Sequence, residues 1–144
     1  MGRSKNNERG STLLEFAIGA TVFLTAMFAI LEFGRALWIH NALADAARRG
    51  ARYAVINLQD EAKVQNVVVY GNPAGGPKPL VDKLTTGNVT VTYSGFEMNK
   101  GTVKVSITNY QFQFVLPFLG AKITMPAYST TLTAESAGLV PPNK

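Results

Sequence analysis

Between Ser11 and Leu31 the chain carries a single charge, Glu15, and from Phe16 to Leu31 it carries none, with only Gly19, Thr21 and Thr25 interrupting the apolar run. At 1.5 Å rise per residue these 21 residues make a helix about 30 Å long, the thickness of a bilayer's hydrocarbon core. The run predicts one transmembrane helix over residues 11–32. A removable secretory signal shares the outline of a basic start and an apolar stretch. This run is too long for that, and it continues through Leu31-Glu32-Phe33-Gly34-Arg35 with no small-residue cleavage site, so the reading is a retained anchor. The rest of the chain has room for one domain, since the whole is 144 residues long.

Charge sets further bounds. Fourteen Lys plus Arg against nine Asp plus Glu give +5, but Arg3, Lys5 and Arg9 crowd the first ten residues. The remaining +3 is too mild and too scattered for nucleic acid. Basic residues also follow the apolar run (Arg35, Arg48, Arg49, Arg52), so the positive-inside count does not decide orientation. The absence of cysteine excludes a disulfide scaffold, a thiolate zinc site and a cysteine nucleophile.

A carboxylate within hydrocarbon costs on the order of 2.5–3.5 kcal/mol on insertion scales, so Glu15 needs a reason. It could sit at headgroup level and cap the first helical turn, where the helix dipole favours an anion. The context Arg9-Gly10-Ser11-Thr12-Leu13-Leu14-Glu15 offers another reading, because it resembles the processing site of type IV prepilins. That resemblance implies a leader, residues 1–10, cut between Gly10 and Ser11 by a membrane prepilin peptidase on the cytoplasmic side, which puts the N-terminus in the cytoplasm. The freed Ser11 ammonium and Glu15 would then stand an i to i+4 step apart, able to neutralise each other. In a helix bundle Glu15 could instead meet the Ser11 amine of a neighbouring subunit and set the register of assembly.

Further on, Ile30-Leu31-Glu32-Phe33-Gly34-Arg35-Ala36-Leu37, Asn41-Ala42-Leu43 and Ala46-Ala47-Arg48-Arg49-Gly50-Ala51-Arg52-Tyr53-Ala54 resemble the TadE-like family of tight-adherence (Flp) pilus systems over about residues 9–56. The resemblance implies a minor pilin, or pseudopilin, that acts in pilus assembly, surface adhesion or biofilm formation without catalysis or cofactor. It implies an inner-membrane, single-pass protein with an extracytoplasmic α+β domain over residues 33–144, in the pilus or at its tip. The implied partners are the prepilin peptidase, other pilin-like subunits, the inner-membrane assembly platform and membrane lipid. The rival reading is an unprocessed, membrane-anchored extracytoplasmic binding protein.

Three more features invite a role. Glu32 and Arg35, three apart at the membrane exit, make either an interfacial pair that anchors the helix end with Trp38 or an assembly contact. Ala42, Ala46, Gly50 and Ala54 recur every four residues. Such a seam admits another backbone, most simply the domain's own sheet, although alanine is also the best helix former. Phe114 to Gly120, which includes Leu116, Phe118 and Leu119, has no polar side chain where spacing predicts a hairpin end. It either tucks under the sheet or touches the bilayer, or it docks another pilus component. His40 has no second imidazole to share a metal with, and Gly71–Pro79, six Gly or Pro in nine residues, reads as a mobile loop.

The C-terminal domain reads as α+β and pilin-like. Asp60 to Tyr70 predicts a short amphipathic helix ended by Gly71. Val89, Val91 and Tyr93 alternate with threonines, and Val103, Val105 and Ile107 with polar residues, predicting two half-buried strands. The second alternation slips at Asn109-Tyr110, which suggests a bulge before Phe112 and Phe114. A third strand runs from Lys122 to about Glu135 with a break at Pro126. About three antiparallel strands packed on the lower half of the long helix, with Leu43, Ala47 and Ala54 covering their apolar face, is the expected architecture.

Overall fold

The computed structural model describes residues 5–57, 60–95, 101–115 and 122–133, with side chains from Gly10 onward. Helix α1 runs unbroken from Lys5 to Ile56, 52 residues or about 78 Å. No proline interrupts it, and alanine, leucine and arginine dominate its second half, which suits a continuous helix. It ends at Ile56, and α2, Glu61–Tyr70, follows. Asp60 caps α2 by accepting from the Lys63 N–H at 3.1 Å, and Gly71 closes it in the left-handed conformation, φ 75°.

The main sheet holds three antiparallel strands: β1 (Val89–Ser94), β2 (Thr102–Ile107) and the strand Tyr128–Thr133, with β2 in the middle. Val91 faces Val105, which in turn faces Thr130. Val89, Val91, Val103, Val105 and Ile107 are buried while Thr90, Thr92 and Lys104 are exposed, the period of two that a one-sided sheet requires. Onto that face packs α1 through Ile39, Leu43, Ala46, Ala47, Gly50, Ala51 and Ala54, a stripe at helical spacing. Helix α2 adds Val64 and Val68, so the core has α1 against both a sheet and a second helix.

Two expectations need correction. The slip at Asn109-Tyr110 is a change of sheet, and no bulge forms there. Asn109 takes φ 58°, and the chain leaves β2 to form β3 (Gln111–Gln113), which pairs with β4 (Lys122–Thr124) in a separate two-stranded sheet. Asparagine tolerates the left-handed region better than most residues, so the chain turns there without breaking the domain. The strand predicted from Lys122 is accordingly two, β4 and then β5 (Tyr128–Thr133), parted around Pro126.

The second correction concerns Gly71–Pro79. The segment is tied to α2 by Asn66 Nδ2, which donates to the Pro73 carbonyl at 3.1 Å, and by the Leu80 N–H just beyond it, which donates to the Val69 carbonyl at 2.8 Å, while within the segment the Ala74 N–H donates to Asn72 Oδ1 at 2.9 Å. Val81 and Leu84 just beyond are buried. These ties satisfy backbone groups that glycine and proline composition alone leaves unaccounted for.

Candidate assembly surface: a bare apolar helix and its exit clamp

From Gly10 to Leu31, no side chain of α1 belongs to the buried core of the described residues. Every side chain there is exposed or, at Ala20, half-exposed, including Leu13, Phe16, Val22, Phe23 and Ile30. Among the described residues it is the one helix long and apolar enough to cross a membrane. Its two mid-run hydroxyls are spent internally: Thr21 donates to the Ala17 carbonyl and Thr25 to the Thr21 carbonyl, each at 2.8 Å. With the backbone bonds also internal, this half has few polar groups left to desolvate, which is what hydrocarbon demands. The Gly10–Ser11 junction lies inside α1, a Cβ placed at Gly10 or Gly19 would meet nothing within 4 Å, and Glu15 is exposed.

Immediately past the run the surroundings change. Glu32 is 9% exposed, and its two carboxylate oxygens go to different places. Oε2 accepts from Arg35 Nη2 at 2.8 Å, while Oε1 accepts from the Val115 N–H at 3.0 Å, 83 residues away in sequence. Arg35 Nη2 also donates to the Gln113 carbonyl, and the guanidinium lies 4.5 Å above the Phe112 ring, a cation–π contact. The pair expected from spacing is therefore formed, and its work is to clamp β3 to the helix exit. Sequence reasoning missed the Gln113 and Val115 partners because both use the backbone, which leaves no side-chain signature.

A second tie lies about two turns further along. His40 Nδ1 is 2.8 Å from the Tyr128 hydroxyl, with the rings edge to face at 5.1 Å, joining α1 to the start of β5. Burial raises the Tyr128 phenol above its ordinary pKa. Among the described residues no three His, Cys, Asp or Glu side chains gather as a metal site.

The small-residue positions face inward. Ala46, Gly50 and Ala54 are buried and Ala42 is half-buried. A Cβ built on Gly50 would lie 2.3 Å from Val68 Cγ2 and 3.4 Å from Val105 Cγ1. The first neighbour is thus α2 and the second the sheet, so the seam accommodates a helix as well as the strands. Of the apolar hairpin residues, Phe114 is half-buried, edge-on to Phe112 at 5.1 Å, and Val115 is 71% exposed. Leu116, Phe118 and Leu119 lie outside the described residues.

No curated protein and no solved structure matches the chain. A family model does: the one described as TadE-like protein matches residues 10–52. That span opens at Gly10 and takes in the bare apolar run, the Glu32–Arg35 clamp and the seam as far as Gly50. Residues 10–52 are thus similar to TadE-like proteins, and the same stretch holds most of the one helix, among the described residues, that is long and apolar enough to cross a membrane.

Proposed function

We propose that the chain is a minor pilin, or pseudopilin, of a tight-adherence pilus. Cleavage between Gly10 and Ser11 by a prepilin peptidase matures it, and it joins other pilin-like subunits through the membrane half of α1 at an inner-membrane assembly platform. The observation that carries this reading is the division of α1, whose residues 10–31 lie outside the core that the described residues of the domain form. A helix face that its own chain does not cover is available to lipid and to other helices. The TadE-like match over the same residues supports the assignment of that surface to a pilus subunit.

On this reading the residues act by charge and fit. Removing residues 1–10 takes away a net +2 and puts an ammonium at Ser11, at the positive end of the helix dipole. Glu15 offsets that charge, either within its own helix or across to a neighbour. The domain from residue 33 on lies outside the cytoplasm, in the fibre or at its tip, where it serves adhesion or biofilm formation. The alternative of an unprocessed binding protein requires neither the cut nor the neighbour.

Glu15→Gln tests the assembly step, because it removes the charge and keeps the size. In cells that assemble the pilus, crosslinks between this chain and other pilin-like subunits should fall severalfold while its level in the membrane stays constant. Unchanged crosslinking would contradict a role for the Glu15 charge in assembly and favour the headgroup cap.

A further inference from the structure

The exit clamp fixes more than a strand. Arg35 holds the Gln113 carbonyl and the Phe112 ring, while Glu32, three residues nearer the apolar run, holds the Val115 N–H. Because Arg35 Nη2 and Glu32 Oε2 are 2.8 Å apart, the Gln113 carbonyl and the Val115 N–H are held at one ion pair on α1. This brings Val115 level with Glu32, one residue beyond Leu31, the last of the apolar run.

Heights above the bilayer core follow from the helix rise. The headgroup layer is about 5–8 Å thick on each side, the difference between a 30 Å core and a 40–45 Å bilayer. With the core ending at Leu31, the ion pair of Glu32 and Arg35 and the Val115 N–H that it holds fall at headgroup depth. Val115 is 71% and Ile123 50% exposed, so Val115 presents an apolar side chain at that depth and Ile123 a second one on the paired strand. Trp38, also exposed, stands about one further turn out, where aromatic belts lie.

Charge agrees with the placement. Lys122 is paired in register with Gln113, whose side chain accepts from Lys83 Nζ, so two exposed cations stand at Gln113, two residues from Val115. Cations at that height suit anionic headgroups. While Arg35 Nε is buried without a partner among the described residues, the Glu32 carboxylate is satisfied, holding both Arg35 and the Val115 N–H. A carboxylate and a backbone N–H can approach lipid only on such terms.

We propose that the β3–β4 hairpin is a second membrane contact, which seats Val115 and Ile123 at the headgroup–acyl boundary beside the helix and so fixes how the domain stands on the bilayer. The inference rests on α1 crossing a membrane. It assigns the hairpin to a lipid surface and makes a protein partner the competing outcome.

The chain has no cysteine, so single labelling sites are unambiguous. Full-length protein carrying Val115→Cys, Phe23→Cys or Thr92→Cys, each labelled with an environment-sensitive fluorophore, is placed in phosphatidylethanolamine–phosphatidylglycerol vesicles with or without lipids spin-labelled near the headgroup. Position 23 reports the anchor and position 92, exposed on β1, reports water. The expected result is a severalfold brighter label at 115 than at 92, quenched by the spin-labelled lipids. A label at 115 as dim and unquenched as that at 92, with position 23 in lipid, overturns the inference and leaves the anchor standing. A bright label at 115 that the lipids do not quench means that another protein copy covers it, which also overturns it. An aqueous label at position 23 removes the anchor itself, and the inference with it.

Discussion

The two halves of α1 are one helix under two sets of demands. Residues 10–31 expose large apolar side chains and lie outside the core of the described residues, whereas residues 32–56 bury small ones, with Ala46, Ala47, Ala51 and Ala54 at 0–1% exposure against α2 and the sheet. In the first half the described domain leaves size free, and from Phe16 to Leu31 no charge is present and the hydroxyls are bonded within the helix. In the second, polarity is tolerated on the outer face, where Asp45 and Arg48 pair at 3.0 Å, while size is fixed to within a methyl group. The hydrophobic effect acts on both halves, but only the second is close-packed by its own chain.

The contrast predicts unequal responses to equal changes. Leu43, fully buried under the sheet, should be the most sensitive: Leu43→Ala should cost about 2–5 kcal/mol of domain stability. The same change at Leu24, exposed in the apolar run, should leave the domain's thermal midpoint where it was. Near-ultraviolet circular dichroism of the full chain in detergent reads both, and equal losses at 24 and 43 would erase the distinction between the halves.

Glycine gives the next comparison. Gly50→Ala gains about 1 kcal/mol of helix propensity but puts a methyl group 2.3 Å from Val68 Cγ2, on a stiff, fully buried β-branched side chain. Overpacking of about 1–3 kcal/mol should win, and Gly50→Leu should be worse. Gly19→Ala, with nothing within 4 Å, should be silent or slightly stabilising in the same melt.

At the junction of the halves, Glu32→Ala leaves both the Arg35 guanidinium and the Val115 N–H without their acceptor, while Glu32→Gln keeps an oxygen for Val115 and loses the ion pair. Both should lower the midpoint, the alanine more. An identical fall would mean that the Val115 bond contributes nothing.

The smallest effect belongs to the α2 cap. The Lys63 ammonium, followed by its backbone N–H, holds the Asp60 carboxyl below the usual carboxylate range, and Asp60 in turn raises Lys63. A depressed acid stabilises above its unfolded pKa of about 3.9 and loses that contribution as pH falls through its folded value. The raised lysine stabilises below its unfolded pKa of about 10.4 and loses it as pH rises past that. The pair should therefore support the domain between about pH 4 and pH 10. Asp60→Asn, which keeps a capping oxygen, should flatten the acid side of a pH–melting profile.

Much of this was legible in the sequence, and the parts that were not share a cause. The α2 boundaries follow from Asp60 and Gly71, and the period-two strands from Val89–Tyr93 and Val103–Ile107, because capping and alternation are local. The inward seam was legible from its four-residue spacing, but α2 as its nearest neighbour was not, since spacing shows a face without its partner. The slip after Ile107 was visible. A bulge and a change of sheet shift the parity alike, so only the left-handed Asn109 and the pairing of Phe112 with Ile123 separate them. The Glu32 and Arg35 bonds to backbone on β3 and beyond span some 80 residues and use groups that every residue carries.

The most direct test of the account is the N-terminus of the protein as it exists in a membrane. Intact-mass measurement and N-terminal sequencing of chain extracted from cells with an active prepilin peptidase should find Ser11 as the first residue. Gly10→Ala should leave the leader largely uncut, and deletion of the peptidase should leave it intact. A mature protein that begins at Met1 or Gly2 in the presence of active peptidase would contradict the pilin reading and leave an uncleaved membrane-anchored domain in its place.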